Sequence, residues 1–360
     1  MPLERLLSVD AHVNFTKEFV YSHASSALQT LWDEASAKWS AEQERKREGQ
    51  PQLQLEDFID LEACRDPGWS EPAARLKAMD RDGVFAEVLF PDFGAVLPAV
   101  DPRFMGDKWK EAAQVYNSAM ATFAETNPSR LLSAYQLPLW DPDLCVSEVE
   151  RLAKRGAKCV QSHSFPIEVG LPYYHDKRYD KVWAACQETG LVVLNHLSVA
   201  ESLHPVYVND PTPQKGIFTS LPSMRLAETM AFWILTGTLE KFPKLNVLMV
   251  EPGLGWVPWY LELLDTRMDQ HYQFPGVKML PSEYFKRQMG ITFMYEPYGL
   301  KVAYEKLGAD NLLWSTDFPH PATSWPNSRA GLPKQFALAG VPERDWDKIT
   351  RSNAERVFHI

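Results

Sequence analysis

The stretch LNVLMVEPGLGWVPWYLELLDTRMDQ, residues 245–270, contains the unit that decides the fold. A short apolar run ends on an acid, a turn with two glycines follows, and apolar residues then recur at helical spacing. An uninterrupted apolar run of this length is typical of a strand that is buried on both faces of a parallel sheet. The same order of strand and helix recurs along the chain, which predicts an α/β protein.

Seven other runs resemble this one, and together they give eight predicted strands: Leu6–His12, Val84–Pro91, Leu131–Leu139, Ala157–His163, Leu191–Leu197, Leu245–Glu251, Met289–Tyr295 and Asn311–Asp317. The predicted helices between them are Lys108–Thr126, Val146–Lys154, Tyr179–Thr189, Met224–Lys241, Trp256–Gln270 and Leu300–Leu307. Eight units fit a (β/α)8 barrel of the TIM type, whose usual core is about 250 residues. A doubly wound open sheet is the alternative, because periodicity does not show whether a sheet closes.

The chain from residue 1 to 360 is interpreted as one barrel domain with a helical and loop insertion at about residues 15–72. A loop that follows a strand of such a barrel emerges on the catalytic face, so the insertion is expected to cap the barrel. A second long loop, residues 198–222, follows the fifth predicted strand. Each of the two segments either lines a substrate pocket or is simply a solvated loop.

The composition excludes several classes of partner. Lys and Arg number 37 against 47 Asp and Glu, for a formal net charge of −10, so neither nucleic acid nor an anionic membrane is an expected partner. No stretch approaches the roughly 18 apolar residues of a membrane span. The four cysteines show no metal-binding or disulfide spacing, which favours a cytoplasmic location. Together these features predict a soluble protein that acts on a small molecule.

Potential metal ligands stand at the C-terminal ends of the predicted strands. In a parallel barrel these ends meet at one rim, so residues that are distant in sequence can share a site. Acids buried at such a rim would repel one another unless a divalent cation neutralised them. The expected cofactor is therefore a divalent ion, zinc, manganese or iron, with one or two per chain. The predicted ligands are Asp10, His12, His163, His196, Glu251 and Asp317.

Several motifs resemble those of the amidohydrolase-2 family of metal-dependent (β/α)8 enzymes. They are Asp10-Ala-His12 after the first strand, LNH at 194–196, VEPGLGWVPWYLELLD at 250–265 and WSTDFPHPATSWPNS at 314–328. The run YYHDKRYDKVWAACQETGLVV at 173–193 is also similar to the family. Relatives in the superfamily include hydrolases, non-oxidative decarboxylases of aromatic acids and non-haem diiron monooxygenases.

The resemblance implies that Asp10 and His12 are the ligands of the first strand and His196 the ligand of the fifth. It further implies that Asp317 binds the metal, activates water, or does both, and that His320 orients Asp317 or the substrate. The predicted catalytic residues are accordingly Asp317, Glu251 and His320. Homo-oligomers are also expected from the family.

Two departures bear on the reaction. Decarboxylases of the family generally carry His where this chain has Glu251, and His-x-His or Glu-x-His where it has Asp10-Ala-His12. These departures weigh against a decarboxylase. The favoured prediction, which rests on the frequency of hydrolases in the family more than on any residue, is a hydrolase that attacks a carbonyl or carboxyl compound with metal-activated water, with Asp317 as the base.

Three alternatives stay open beside hydrolysis. A diiron monooxygenase would need His163 and Glu251 among the ligands of two metals. A non-oxidative decarboxylase of aromatic acids is the second alternative, and a binding barrel without catalysis is the third.

Aromatic residues near the last strand ends favour a small apolar or aromatic substrate. The predicted pocket residues are Tyr295, Phe318 and Trp325, because each lies at or just beyond a strand end. The other interpretation of such aromatic residues is packing between helices and barrel.

Overall fold

The computed structural model describes residues 3–46, 62–91, 101–197, 212, 216–270, 274, 276–320 and 322–360. Its eight strands pair in sequence order, and every pair is parallel. They are β1 Leu6–Val13, β2 Val84–Pro91, β3 Leu131–Gln136, β4 Cys159–Gln161, β5 Val192–His196, β6 Val247–Val250, β7 Met289–Phe293 and β8 Leu312–Trp314.

The sheet returns to its own first strand. A parallel bridge joins Ala11 to Phe318, His12 N–H donates to the Phe318 carbonyl at 2.6 Å, and Asp317 N–H donates to the Asp10 carbonyl at 3.0 Å. These contacts bring the end of β8 against β1, so the predicted (β/α)8 barrel is confirmed and the doubly wound alternative is excluded. Six of the eight strands are shorter than predicted, because residues at one or both of their ends do not pair in the ladder.

The α-helices among the described residues are Lys17–Tyr21, Ser26–Lys46, Pro72–Asp82, Pro102–Met105, Trp109–Glu125, Pro142–Lys154, Asp180–Thr189, Gly216–Ser220, Leu226–Leu235, Thr238–Lys241, Val257–Asp269, Pro281–Gln288, Pro297–Leu307, Ser328–Ala339 and Asn353–Phe358. The predicted helix Met224–Lys241 is interrupted, because Gly237 adopts a left-handed conformation with φ of 77°. No helix among the described residues is both long and apolar enough to cross a membrane.

The predicted insertion at 15–72 begins with two helices, Lys17–Tyr21 and Ser26–Lys46. Its middle, residues 47–61, lies outside the described residues. Most of the predicted loop at 198–222 also lies outside them, namely 198–211 and 213–215.

The barrel interior is filled by small and branched side chains from the strands, among them Leu7, Val9, Val88, Leu194 and Leu248. The last helix contributes to the same cluster from the C-terminal end of the chain: Ala354, Val357 and Phe358. Asn353, at the start of this helix, donates to the carbonyls of Ala309 and Leu312, at the beginning of β8. The C-terminal helix therefore plugs the end of the barrel opposite to the predicted ligands.

Strand β1 contains a β-bulge. Between Ser8 and Ala11 it advances three residues while β2 advances only from Glu87 to Leu89, so one extra residue lies on β1. Leu7, before the bulge, and Val9, within it, belong to the interior cluster, whereas His12, after the bulge, is paired with the interior Phe90. Because of the bulge, the first residues of β1 fill the barrel interior, and Asp10 and His12 also point to the interior side.

Candidate metal centre

The structure brings three predicted ligands together from β1 and β5. Asp10 Oδ1 lies 3.5 Å from His12 Nε2 and 3.4 Å from His196 Nε2. Their donor atoms form a group in which all lie within 4.8 Å of one another. Two ligands bound at about 2.1 Å to one ion lie roughly 3.0–3.5 Å apart, so these separations suit a shared cation.

A second group extends from the first at the end of β8. His12 Nε2 lies 3.3 Å from Asp317 Oδ1, and His320 Nδ1 lies 2.9 Å from the same oxygen. His12, Asp317 and His320 satisfy the same distance criterion for a shared ion. His320 is one-third exposed, whereas His12 and Asp317 are buried, so the group reaches from the interior to the rim.

The donor set is incomplete without a cation. Asp10 is fully buried, yet neither of its carboxylate oxygens accepts a hydrogen bond from the part of the chain that the structure describes. A buried carboxylate without such partners costs free energy of several kcal/mol unless a positive charge compensates it. Carboxylate and imidazole donors together suit zinc, manganese or iron, so the residues present fit the predicted divalent ion.

His196 is prepared to bind through one nitrogen. Its Nδ1 lies 2.6 Å from the Leu197 carbonyl, which fixes the proton on Nδ1 because a carbonyl can only accept. Nε2 then carries the lone pair and points at Asp10, without a hydrogen bond to any described residue. This is the arrangement in which metal-ligating histidines are usually held.

The two acids at the ends of β6 and β8 have unusual backbones. Glu251 and Asp317 have φ values of 65° and 54°, a region that non-glycine residues rarely adopt. Such strained residues concentrate at functional sites, because surrounding structure must hold them there.

The electrostatics of these two acids differ. Burial, together with the Asp317 carboxylate, raises the pKa of Glu251 to about 8. Burial acts to raise the pKa of Asp317 as well, but the charge of His320 and the hydrogen bond of His12 outweigh it and lower that pKa below its usual range. Glu251 Oε2 lies 3.6 Å from His196 Nε2, at the edge of the first group of donors.

Other predicted site residues lie elsewhere. The ring of His163 packs edge-on against Trp140, with 5.0 Å between ring centroids, and His163 belongs to neither group of donors. Phe318 and Trp325 are buried in a small cluster with Ala63 and Ala78, because they fill the space behind the β1–β8 seam.

Tyr295 is 54% exposed, so of the three predicted pocket residues it presents the most surface to solvent.

The sequence did not single out Phe90, although it belongs to the site. Its ring centroid lies 4.5 Å from that of His196 and 6.1 Å from that of His12. Phe90 stands near the end of β2, in the same position on its strand as the polar residues on theirs. An apolar residue there carries no signal that separates it from ordinary core residues, so only the structure reveals it.

The fold and the donor set define a metal-dependent barrel enzyme. The profile of the amidohydrolase family matches residues 9–360, and the chain belongs to this family. It is therefore an enzyme of the amidohydrolase superfamily, as the sequence motifs predicted.

The chain is similar to several decarboxylases. It is 27% identical to gamma-resorcylate decarboxylase of Rhizobium sp. (strain MTP-10005) over 310 residues, which cover 79% of this chain and 86% of the relative. Among solved structures, 5-carboxyvanillate decarboxylase from Sphingomonas paucimobilis superposes with a TM-score of 0.70 at 22% identity, covering 99% of both chains.

A dihydroxybenzoic acid decarboxylase from Polaromonas sp. JS666, solved with manganese and the inhibitor 2-nitroresorcinol, superposes with a TM-score of 0.65 at 19% identity, covering 99% of this chain and 97% of that one. The predicted divalent-metal cofactor is consistent with the manganese in that structure and with the donor groups of this chain.

Proposed function

We propose that this protein is a metal-dependent, non-oxidative decarboxylase of an aromatic carboxylic acid. The observation that carries the proposal is the similarity to gamma-resorcylate decarboxylase over 79% of the chain. The donor group of Asp10, His12 and His196, with the buried Asp10 carboxylate that accepts no hydrogen bond from the described residues, supplies a cation site of the kind that such an enzyme needs. The relatives described above carry the name decarboxylase, so they support this proposal better than the favoured sequence-based prediction of hydrolysis or the alternative of oxygenation.

In this proposal Asp10, His12 and His196 hold the divalent ion. When bound, the ion supplies a positive charge that orients the acidic oxygens of the substrate and stabilises negative charge on them. Phe90 packs against the imidazoles of His12 and His196, which keeps both rings from rotating away from the ion. The aromatic substrate is expected on the open side of these ligands.

Decarboxylation requires one proton at the ring carbon that carries the carboxylate. That carbon accepts the proton, and the bond from it to the carboxylate carbon then breaks. The electron pair of the broken bond restores the aromatic ring, and carbon dioxide leaves. No oxidant takes part. His320, which reaches solvent, holds the proton and passes it through the Asp317 carboxylate, 2.9 Å away, to the ring carbon. Because its pKa is low, Asp317 carries the proton only during this transfer.

Glu251 stands where decarboxylases of the family generally carry His. Its carboxyl borders His196 at 3.6 Å and is one-fifth exposed, so it can face the substrate from the β6 side. We infer that it orients the substrate or holds a proton in place of the imidazole. Because this chain has Glu251 in place of that His, we expect it to accept a different aromatic acid.

We further propose that the chain forms one domain whose insertion, at about residues 15–72, caps the barrel mouth. The described ends of the insertion lie beside the ligands. Asn14 N–H, two residues after His12, donates to the Trp69 carbonyl at 2.8 Å. Deletion of the insertion in a protein that still folds should raise solvent access to the bound ion.

The test is a panel of hydroxylated benzoic acids, including 2,6-dihydroxybenzoate and 5-carboxyvanillate, with the Mn²⁺-loaded protein in D₂O. The expected products are carbon dioxide and a phenol with one deuterium at the former carboxyl position. Asp317→Asn should abolish both, whereas Asp310→Asn, at an exposed carboxylate, should not.

Hydrolysis of esters, amides or lactones without carbon dioxide release would contradict the proposal and restore the hydrolase prediction. Oxygen consumption coupled to hydroxylation would instead support the monooxygenase.

A further inference from the structure

Buried side chains, in addition to the strand ladder, hold the backbone of the proposed ligands. The Asp10 carbonyl accepts hydrogen bonds from Ser8 Oγ at 2.7 Å and Thr316 Oγ1 at 3.3 Å, beside the Asp317 N–H. The two hydroxyls also lie 3.1 Å from each other, and Thr316 N–H donates to Ser8 Oγ at 2.8 Å. Ser8 and Thr316 therefore join β1 to β8 directly at the bulge.

The fifth-strand ligand is held in the same way. The His196 carbonyl accepts a hydrogen bond from Ser164 Oγ at 2.6 Å. Ser164 is itself fixed, because its carbonyl accepts from Thr229 Oγ1 at 2.7 Å and from the Tyr174 hydroxyl at 2.9 Å. Ser164 is buried, so water does not compete for the bond.

The His12 carbonyl is held by a buried cation. Arg75 Nη1 donates to it at 2.6 Å, while Arg75 Nε donates to Glu87 Oε2 at 2.6 Å. The guanidinium carbon lies 4.6 Å from the centroid of the Phe318 ring. Arg75 thus fixes the outer side of the seam between β1 and β8, where His12 and Asp317 both stand.

The acid that follows β6 has a comparable contact through its amide. Glu251 N–H donates to Thr292 Oγ1, from β7, at 2.8 Å. Asp10, His12, His196 and Glu251 thus each have a backbone group bound by a buried side chain. A buried backbone group must find a hydrogen-bond partner, and a protein side chain fixes its position where a water molecule would not.

We propose that Ser8, Thr316, Ser164 and Arg75 are positioning residues that set the geometry of the metal ligands. This inference rests on the proposed metal site. The hydroxyls hold the bulged and strained strand ends so that Asp10 and His196 present their donor atoms at ligand distances. Loss of one hydroxyl therefore weakens metal binding beyond its effect on folding.

The test uses Mn²⁺ alone as the probe, with binding followed by the electron paramagnetic resonance of free and bound ion. His196→Ala first establishes the site, because it should remove the bound ion. Thr316→Val, which keeps the shape and removes the hydroxyl, should then weaken Mn²⁺ binding roughly ten-fold or more and alter the spectrum of the bound ion. Thr316→Ser, which restores a hydroxyl, should recover most of the affinity.

The matched control is Thr350→Val. Thr350 is also fully buried, and its hydroxyl donates to the Trp346 carbonyl at 2.9 Å near the plugged end of the barrel. It should lose stability as Thr316→Val does, yet bind Mn²⁺ like the unmodified protein. Unchanged affinity and spectrum in folded Thr316→Val would overturn the proposal.

If Thr316→Val does not fold, Ser164→Ala decides the question by the same measurement, and unchanged Mn²⁺ binding there overturns the proposal. Retention of the ion by His196→Ala is a different failure, because it contradicts the proposed metal site itself.

Discussion

Asp10 combines complete burial with two carboxylate oxygens that accept no hydrogen bond from the described residues, and it lies near a second buried acid, Asp317. Without a cation this arrangement is destabilising. Asp10→Asn should therefore raise the unfolding free energy of the metal-free protein by about 1–3 kcal/mol. The same change should abolish the stabilisation by Mn²⁺, which for the unmodified protein is about 2.7 kcal/mol at 100 times the dissociation constant.

Denaturation with and without Mn²⁺ measures both effects. Glu148→Gln is the control, because Glu148 is equally buried but receives hydrogen bonds from Asn117 and Arg151. It should destabilise the protein and leave the Mn²⁺ effect unchanged. A metal-free Asp10→Asn protein that is less stable than the unmodified protein would show that the carboxylate has a structural partner.

At the scale of residues, the sequence was sufficient to predict that certain acids and histidines after apolar strands come together at one end of the barrel. Asp10, His12, His196 and Asp317 could be predicted because polar side chains interrupt a buried pattern there. His163 interrupts its strand in the same way but packs against Trp140 instead. His163 lies outside both donor groups, and its position depends on long-range packing that local sequence does not encode.

Gly290 shows how tightly the strands pack inside the barrel. A Cβ atom at this position of β7 would lie 2.6 Å from Leu248 Cδ2 and 2.7 Å from Leu313 Cδ1. Both leucines belong to the interior cluster and have little room to move. Gly290→Ala should therefore lower the unfolding free energy by about 1–3 kcal/mol.

Gly331→Ala is the matched control in chemical denaturation, since a Cβ there meets nothing within 4 Å. As Gly331 lies within the helix Ser328–Ala339, alanine should stabilise the protein by up to about 1 kcal/mol. Equal effects of the two substitutions would contradict the proposed crowding at β7.

Glu296 connects the starts of two neighbouring helices and makes stability depend on pH. It precedes the helix Pro297–Leu307, and both its carboxylate oxygens accept from Leu254 N–H at 2.9 Å. Burial nevertheless raises its pKa from 4.5 to about 7. Between these two values the folded state holds more protons than the unfolded state, so this group makes stability fall as pH rises.

Glu296→Gln should remove that dependence. The variant is expected to gain stability relative to the unmodified protein between pH 4.5 and pH 7, by at most about 3 kcal/mol. Chemical denaturation at pH 5 and pH 8 measures the difference, and other titrating groups cancel in the comparison. A difference between the two proteins that does not change with pH would refute the prediction.

At the scale of elements, the existence and order of the strands could be predicted from apolar periodicity, but their ends could not. The predicted strand Leu131–Leu139 ends at Gln136, and Asn311–Asp317 is reduced to Leu312–Trp314. Strand length depends on which neighbour continues the ladder, and that information is not local. The break at Gly237 had a local signal, since glycine accepts a left-handed conformation at little cost.

In the whole molecule, the helix Asn353–Phe358 plugs the end of the barrel opposite to the proposed metal site and contributes to stability there. Phe358 is buried in the interior cluster, far from the ligand-bearing strand ends. Phe358→Ala should lower the unfolding free energy by about 3–5 kcal/mol. The Mn²⁺ dissociation constant of the folded variant should stay unchanged, because the cavity forms at the opposite end.

Leu338→Ala, at a side chain that is 58% exposed, should change neither quantity. Denaturation and Mn²⁺ titration check both variants. A weaker affinity in Phe358→Ala would show that the two ends of the barrel are coupled.

Closure of the barrel was beyond the sequence pattern, because it depends on contacts between residues about 300 positions apart. The decisive contacts are those between Ala11 and Phe318 and between His12 and the Phe318 carbonyl. The family motifs supported closure only by resemblance. Homo-oligomer formation stays a prediction, which light scattering of the purified protein can test.

The extra residue in β1 changes the phase of alternation halfway along one strand. Counted from Leu7 and Val9, strict alternation would point Ala11 rather than Asp10 and His12 into the barrel. The bulge therefore separates two halves of β1 whose side chains can be changed independently of each other. The ligand residues could be substituted to bind a different metal while the hydrophobic residues of the other half are kept. Deletion of one residue at the bulge would instead turn the ligand side chains out of the barrel.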